Sequence, residues 1–174
     1  MQPKVRFKNF SGDWEQRKLG SIFLEYSIKN QTDLPALTII QGKGTVKRDD
    51  CERAISYDKK SLKNYKLVKE SDFIVHLRSF EGGLEIAKTD GLISPAYHTL
   101  HSDIANSNFY YPYFRSHEFI NIKLITCVYG IRDGRSIDVK GMMKINIPYT
   151  SLDEQNKIAE LLLATEKLFT LHQR

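Results

Sequence analysis

The sequence is poor in the residues that build metal sites and covalent frameworks. It holds two cysteines, Cys51 and Cys127, far apart and with no Cys or His at ligand spacing. That excludes a disulfide framework and a zinc ribbon, and two buried free thiols in a reducing cytosol are expected. The five histidines, His76, His98, His101, His117 and His172, form no metal-binding pair of the His-Glu-x-x-His type. No stretch approaches the roughly 18 apolar residues of a membrane helix. Residues 1–7 hold no apolar run of signal-peptide type. A cytoplasmic protein with no membrane partner is therefore expected.

Catalytic motifs are also missing. Gly42-Lys43-Gly44-Thr45 has glycines and a lysine but lacks the Gly-Lys-Ser/Thr ending of a phosphate-binding loop. There is no Gly-x-Ser-x-Gly elbow and no metal cluster. One segment is suggestive: Ser94-Pro95-Ala96-Tyr97 resembles the motif with which amino-methyltransferases hold a flipped base. Ala96 replaces its second proline, and the nearest stand-in for the cofactor motif, Phe80-Glu81-Gly82-Gly83-Leu84, sits too close in sequence. A non-catalytic protein is expected.

The chain has 174 residues, which suits one globular domain with an appendage. Hydrophobic residues make up 41% and charged residues 27%, as in folded globular proteins. The formal net charge of +5 and a pI near 9.1 favour an anionic partner. Much of that excess lies in residues 43–66. There Lys43, Lys47, Arg48, Arg53, Lys59, Lys60, Lys63 and Lys66 outnumber Asp49, Asp50, Glu52 and Asp58, with Tyr57 and Tyr65 between them. Lysine and arginine neutralise phosphates and release counterions, so this segment is a candidate DNA-binding surface. Arg78-Ser79 and Arg132-Asp133-Gly134-Arg135 fall at strand ends or turns, where arginine reaches base edges or phosphates. The candidate DNA contacts are Lys43, Lys47, Arg48, Lys60, Lys63, Arg78, Ser79, Tyr97, His98, Arg132 and Arg135.

Residues 1–18 suggest a loop anchored by Trp14, and the spacing of Leu19, Ile22, Phe23 and Tyr26 predicts a short amphipathic helix over 19–28. Short strand-type runs follow: Leu37–Ile40, Asp72–Leu77, Ala96–Leu100 and Ile122–Ile125, punctuated by Gly, Asn and Asp. Tyr110–Asn121 has helical character. Ser151-Leu152-Asp153-Glu154 fits a capping box, and helix formers continue to Arg174 without Gly or Pro. Ile158, Leu161, Leu162, Thr165, Leu168 and Leu171 give this helix a seam of roughly seven-residue repeat, expected to meet another helix. The fold class is thus α/β (α+β): a domain of short strands and helices over 1–150, then a long spacer helix over 151–174.

Three segments in order carry a resemblance to one repeat of the specificity subunit of type I restriction-modification systems. The opening Phe10-Ser11-Gly12-Asp13-Trp14-Glu15-Gln16-Arg17-Lys18-Leu19-Gly20 is close to that family's opening signature. Gly91-Leu92-Ile93-Ser94-Pro95-Ala96-Tyr97 resembles its mid-domain strand, which makes the methyltransferase-like segment structural. Ile145–Pro148 and Asp153–Ile158 are similar to its junction into a conserved helix, although Thr150 stands where the family usually has a second proline.

The resemblance implies a target-recognition domain that reads double-stranded DNA and docks methylation subunits, and restriction subunits indirectly. S-adenosylmethionine and ATP would sit on those partners, with no cofactor on this chain. Family members typically carry two such repeats and this sequence shows one, as a natural half-subunit, a truncated product or an excised fragment would. A homodimer through the helix, reading a split palindrome, is the expected assembly. The alternative is a stand-alone DNA-binding or regulatory protein that pairs with or sequesters methylation subunits.

Overall fold

The computed structural model describes residue 3, residues 5–51 and residues 59–172, without the side chains of residues 59, 60, 133 and 172. The chain is held together by antiparallel pairings between segments distant in sequence. Strand Glu15–Lys18 pairs with Asn146–Tyr149, which joins the opening of the domain to the segment that feeds the long helix. A four-stranded sheet runs in the order Leu24–Tyr26, His98–His101, Phe73–Val75, Glu85–Ile86. Beside it lie the hairpin Leu37–Ile40/Gly44–Lys47 and the pair Lys66–Val68/Gly91–Ile93. A two-residue ladder, Val128–Tyr129 with Ser136–Ile137, forms a further hairpin.

An aromatic core explains why the central sheet and the helices stay together. Phe23, Phe73, Tyr110, Phe114 and Phe119 are all fully buried. Phe73 and Phe114 meet edge to face at 4.8 Å, and Phe114 and Phe119 are also 4.8 Å apart. Helix Ser107–Phe114 supplies two of these rings, and the Asn106 side chain caps it by accepting from the amides of Asn108 and Phe109. Asn is a favoured N-cap because it satisfies amides the helix leaves unpaired.

Several local expectations are corrected. Over 19–28 only Leu19–Ile22 is helical, and Leu24–Tyr26 is a strand on His98–His101. Burial of Phe23 and the distant partner strand override the local periodicity. Ile122–Ile125 is not a strand: Glu118–Lys123 is a π-helical turn continuing into the 3₁₀ turn Leu124–Cys127. Phe119, Ile120 and Leu124 face inward, while Ile122 and Ile125 are exposed. Residues 1–18 contain the strand Glu15–Lys18 as well as loop. Cys51 and Cys127 are free, as expected, but half-buried rather than buried.

The long helix spans Leu152–His172, 21 residues. Ser151 Oγ accepts from the Glu154 amide at 3.4 Å, one half of the expected capping box. The other half is replaced. The Glu154 carboxylate accepts from Arg6 Nε at 2.7 Å, Arg6 Nη2 at 2.8 Å and Trp14 Nε1 at 3.2 Å, and from the Thr150 hydroxyl. Gln155 is fully buried; its amide donates to Thr150 O at 2.8 Å, and its oxygen accepts from the Asn106 amide at 2.9 Å. Ala159 is buried and Ile158 packs on the aromatic core, so the first two turns are fixed to the domain. Beyond them Leu161, Leu162, Leu163, Leu168, Phe169 and Leu171 are exposed.

Candidate nucleic-acid interface

Exposed basic side chains lie on two hairpins and beside the short turn between them. The first hairpin turns through Gly42 and Gly44, both at positive φ (82° and 77°). Glycine adopts that region without Cβ strain, and at Gly44 a Cβ would also lie 2.6 Å from the Ile86 carbonyl oxygen. Gly42 N and Gly44 N donate to Glu85 Oε1 and Oε2 at 2.6 and 3.0 Å, and Tyr111 donates to Oε2 at 2.7 Å. Glu85 is fully buried. The glycine-lysine-glycine loop thus has its amides filled by the protein's own carboxylate, which leaves them unavailable to a phosphate. Burial, then the bond to Glu85, pushes the Tyr111 hydroxyl pKa up. Lys43 and Lys47 stand exposed on this hairpin and line a cavity of about 560 Å³ with Asp50 and Cys51.

A second group centres on the short helical turn Ser79–Gly82. Arg78 Nη2 lies 2.6 Å from Glu81 Oε2, and Arg135 Nη2 lies 3.1 Å from Glu81 Oε1. The Arg135 guanidinium covers the Phe80 ring at 4.3 Å, and its Nε donates to the Arg132 carbonyl at 3.3 Å. Arg132 is exposed at positive φ (52°) at the tip of the second hairpin. Gln41, from the first hairpin, packs so closely that a Cβ on Gly82 would lie 2.1 Å from its Nε2. Both hairpins therefore flank the Arg78–Gly82 turn.

The remaining candidates divide differently. Ser79 is fully buried and its hydroxyl accepts from the His76 amide at 2.9 Å, so its expected place on the contact surface is corrected to one that shapes the turn. Arg48 is half-buried, donates to Leu37 O at 3.3 Å and lies over the Tyr65 ring at 5.4 Å, tying the hairpin to the 59–65 segment. Tyr97 is half-buried against the core, and its carbonyl accepts from Lys66 Nζ at 2.5 Å. Burial lowers the Lys66 pKa. His98 is paired with Glu25 at 2.6 Å. Lys63 is exposed, and the Lys60 side chain lies outside the described residues. The expectations for Arg53 and Tyr57 likewise fall outside them.

The structure adds Phe80, Glu81 and Glu85 to the residues that shape this surface. The three-residue step from Arg78 to Glu81, a spacing at which helical side chains meet, was the one local signal for any of them. Among the described residues no group of three or more His, Cys, Asp and Glu could hold a metal ion, and no helix is long and apolar enough to cross a membrane.

No protein-family model matches this sequence, and no curated protein does. Solved structures do. All of the chain is covered by the HsdS subunit from Thermoanaerobacter tengcongensis, with a TM-score of 0.57, 14% identity and 42% of that chain matched. A structure described as the basis of complex assembly and conformational transition of the type I R-M system is similar over 100% of this chain and 43% of its own, with a TM-score of 0.59 and 16% identity. The chain has the fold of half a type I specificity subunit. It spans under half the length of the solved chains it matches.

Against that fold, the three family-like segments prove to be scaffold. Trp14 and Glu154, from the opening and the junction, are hydrogen-bonded to each other, and their strands Glu15–Lys18 and Asn146–Tyr149 are paired. Gly91–Ile93 is entirely buried, and a Cβ on Gly91 would lie 2.5 Å from Leu37 Cγ. The methyltransferase-like Ser94-Pro95-Ala96-Tyr97 is the turn that follows this strand.

Proposed function

We propose that this chain is the non-catalytic DNA-recognition component of a type I restriction-modification system. Residues 1–150 form the recognition domain and residues 151–174 the spacer helix. Two copies pair through that helix and present their domains to inverted half-sites, so the target is a split palindrome. Methylation subunits, which hold S-adenosylmethionine, dock on this framework and bring the restriction subunits, which use ATP. The observation that carries the reading is the similarity of the whole chain to a little over two-fifths of HsdS. The exposed lysines and arginines on rigid hairpins add the charge that DNA binding requires.

The test is co-expression with type I methylation subunits, followed by purification and mapping of methylated sites in the host genome. The expected result is a stable complex and a methylation motif in the form of a split palindrome. Alanine at Lys43 and Lys47 weakens binding to every duplex alike and reduces the salt slope by roughly two, since each phosphate contact contributes about 0.9. A chain that binds DNA but never co-purifies with methylation subunits is instead the stand-alone regulator. Methyl transfer by the chain alone overturns the non-catalytic reading.

A further inference from the structure

Glu81, in the Ser79–Gly82 turn, bridges Arg78 at the start of that turn and Arg135 on the second hairpin. It contacts Arg78 at 2.6 Å and Arg135 at 3.1 Å, and it is partly exposed, at 32%. A carboxylate beside DNA phosphates is repelled, so in a face that only collected charge it would be a defect. Its geometry gives it another role. Arg135 is restrained on three sides, by Glu81, by the Phe80 ring at 4.3 Å and by the Arg132 carbonyl at 3.3 Å. Arg78 is restrained by the same carboxylate, with its Nε 2.8 Å from Glu81 Oε2. Lys43 and Lys47, by contrast, make no side-chain hydrogen bond among the described residues and remain free to follow phosphates.

A planar guanidinium held in place loses little entropy on binding and presents paired donors in a fixed direction. That is the requirement for bidentate donation to guanine O6 and N7 in the major groove, and a mobile lysine meets it poorly. We propose that Arg78 and Arg135 read guanine and that Glu81 is their positioning residue, so that this turn sets a G·C requirement in the half-site. Glu81 opposes binding to phosphates in general while it aims the arginines at one base edge. It thereby lowers non-specific affinity and raises specific affinity together. The inference rests on the DNA-recognition reading above.

The test is selection by the full chain, wild type and Glu81→Gln, from a library of randomised duplexes. Affinities are then measured for the selected duplex and for a scrambled one. Wild type is expected to enrich a motif containing guanine. Glu81→Gln should bind scrambled DNA more tightly, lose guanine preference at one or two positions and lose about tenfold in discrimination, as for one bidentate contact. Arg78→Ala and Arg135→Ala should relax the same positions. A Glu81→Gln protein with an unchanged motif, or with both affinities moved in the same direction by the same factor, overturns the inference and leaves DNA recognition intact. A wild-type chain that enriches no sequence overturns DNA recognition itself.

Discussion

Arg6 and Glu154 are 148 residues apart in sequence and joined in space, the Arg6 Nε lying 2.7 Å from Glu154 Oε1. This pair closes the domain against the first turn of the long helix. Glu154 is 1% exposed, and its oxygens also take the Thr150 hydroxyl and the Trp14 indole N–H. Burial alone would raise its pKa, but the bonds from Arg6, Thr150 and Trp14 hold it below the ordinary 4.5. The stability this carboxylate contributes is therefore fully present above pH 4.5 and lost as pH falls through the depressed folded value. Glu154→Gln should cost roughly 1–3 kcal/mol at neutral pH, because buried donors lose an ionised acceptor. Urea midpoints of variant and wild type should converge on acidification; a gap independent of pH contradicts the assignment.

How much was legible in advance follows from the range of the forces involved. The long helix announced itself through local propensity and a seam, and Leu37–Ile40 through a β-branched run. The roles of Glu154 and Glu85 did not. A carboxylate in a helix's first turn has a standard local partner, and Glu154 leaves it for Arg6. Glu85 and the glycines it caps are more than 40 residues apart. The same distance effect turned residues 24–26 from helix to strand, because their partner strand lies at 99–101. Basic character at 43–66 was visible, but which cations project and which brace the fold was not. Arg48 braces, through Leu37 and Tyr65, while Lys43 projects.

Two histidines should titrate in opposite directions. His101 Nδ1 lies 2.6 Å from Asp72 and its Nε2 lies 3.1 Å from Asp103. The bond to buried Asp72, then that to Asp103, outweighs burial and raises its pKa above 6.5. Burial lowers that of His76, whose Nε2 is buried and has no hydrogen-bond partner among the described residues. The His101 contribution to stability is fully present below pH 6.5 and lost as pH rises through the raised folded value. Ring-proton NMR titration should place His101 above 6.5 and His76 below, and Asp103→Asn should lower the His101 midpoint. A His101 midpoint at or below 6.5 refutes the network.

Glu85 should govern the first hairpin. Glu85→Ala strands the Gly42 and Gly44 amides and the Tyr111 hydroxyl, at roughly 1–3 kcal/mol for a buried donor left unsatisfied. Tyr111→Phe removes one donor of the three and should cost about 1 kcal/mol. Amide hydrogen exchange checks the cause directly, since Gly42 and Gly44 should exchange faster in Glu85→Ala than in wild type. Unaltered exchange at both glycines would show that the carboxylate does not hold the turn.

Beyond its second turn the helix carries a run of apolar residues at the surface. Ile158, placed in the seam by its spacing, is instead packed on the domain's own core, which corrects that expectation for one residue. Further along the seam Leu161 is 56% exposed and Leu171 58%, with Phe169 at 66% beside them. Leu162 is 38% exposed and lines a groove of about 660 Å³ between helix and domain, with Tyr111 and Arg115. Thr165 lies between Leu161 and Leu168 and donates to the Leu161 carbonyl at 2.8 Å, which satisfies its hydroxyl inside the stripe. Burying one leucine stabilises by roughly 1.5–3 kcal/mol. Two copies related by a dyad would bury the stripe on both helices, a gain that works against an association cost of about 4–15 kcal/mol. Light scattering of the full chain should therefore give twice 20.1 kDa. Leu161→Asp with Leu168→Asp should return it to one chain, with an unchanged circular dichroism spectrum because both residues lie outside the domain's core. A wild-type chain that stays monomeric with methylation subunits bound would show that the seam serves another partner, and the palindromic target would go with it.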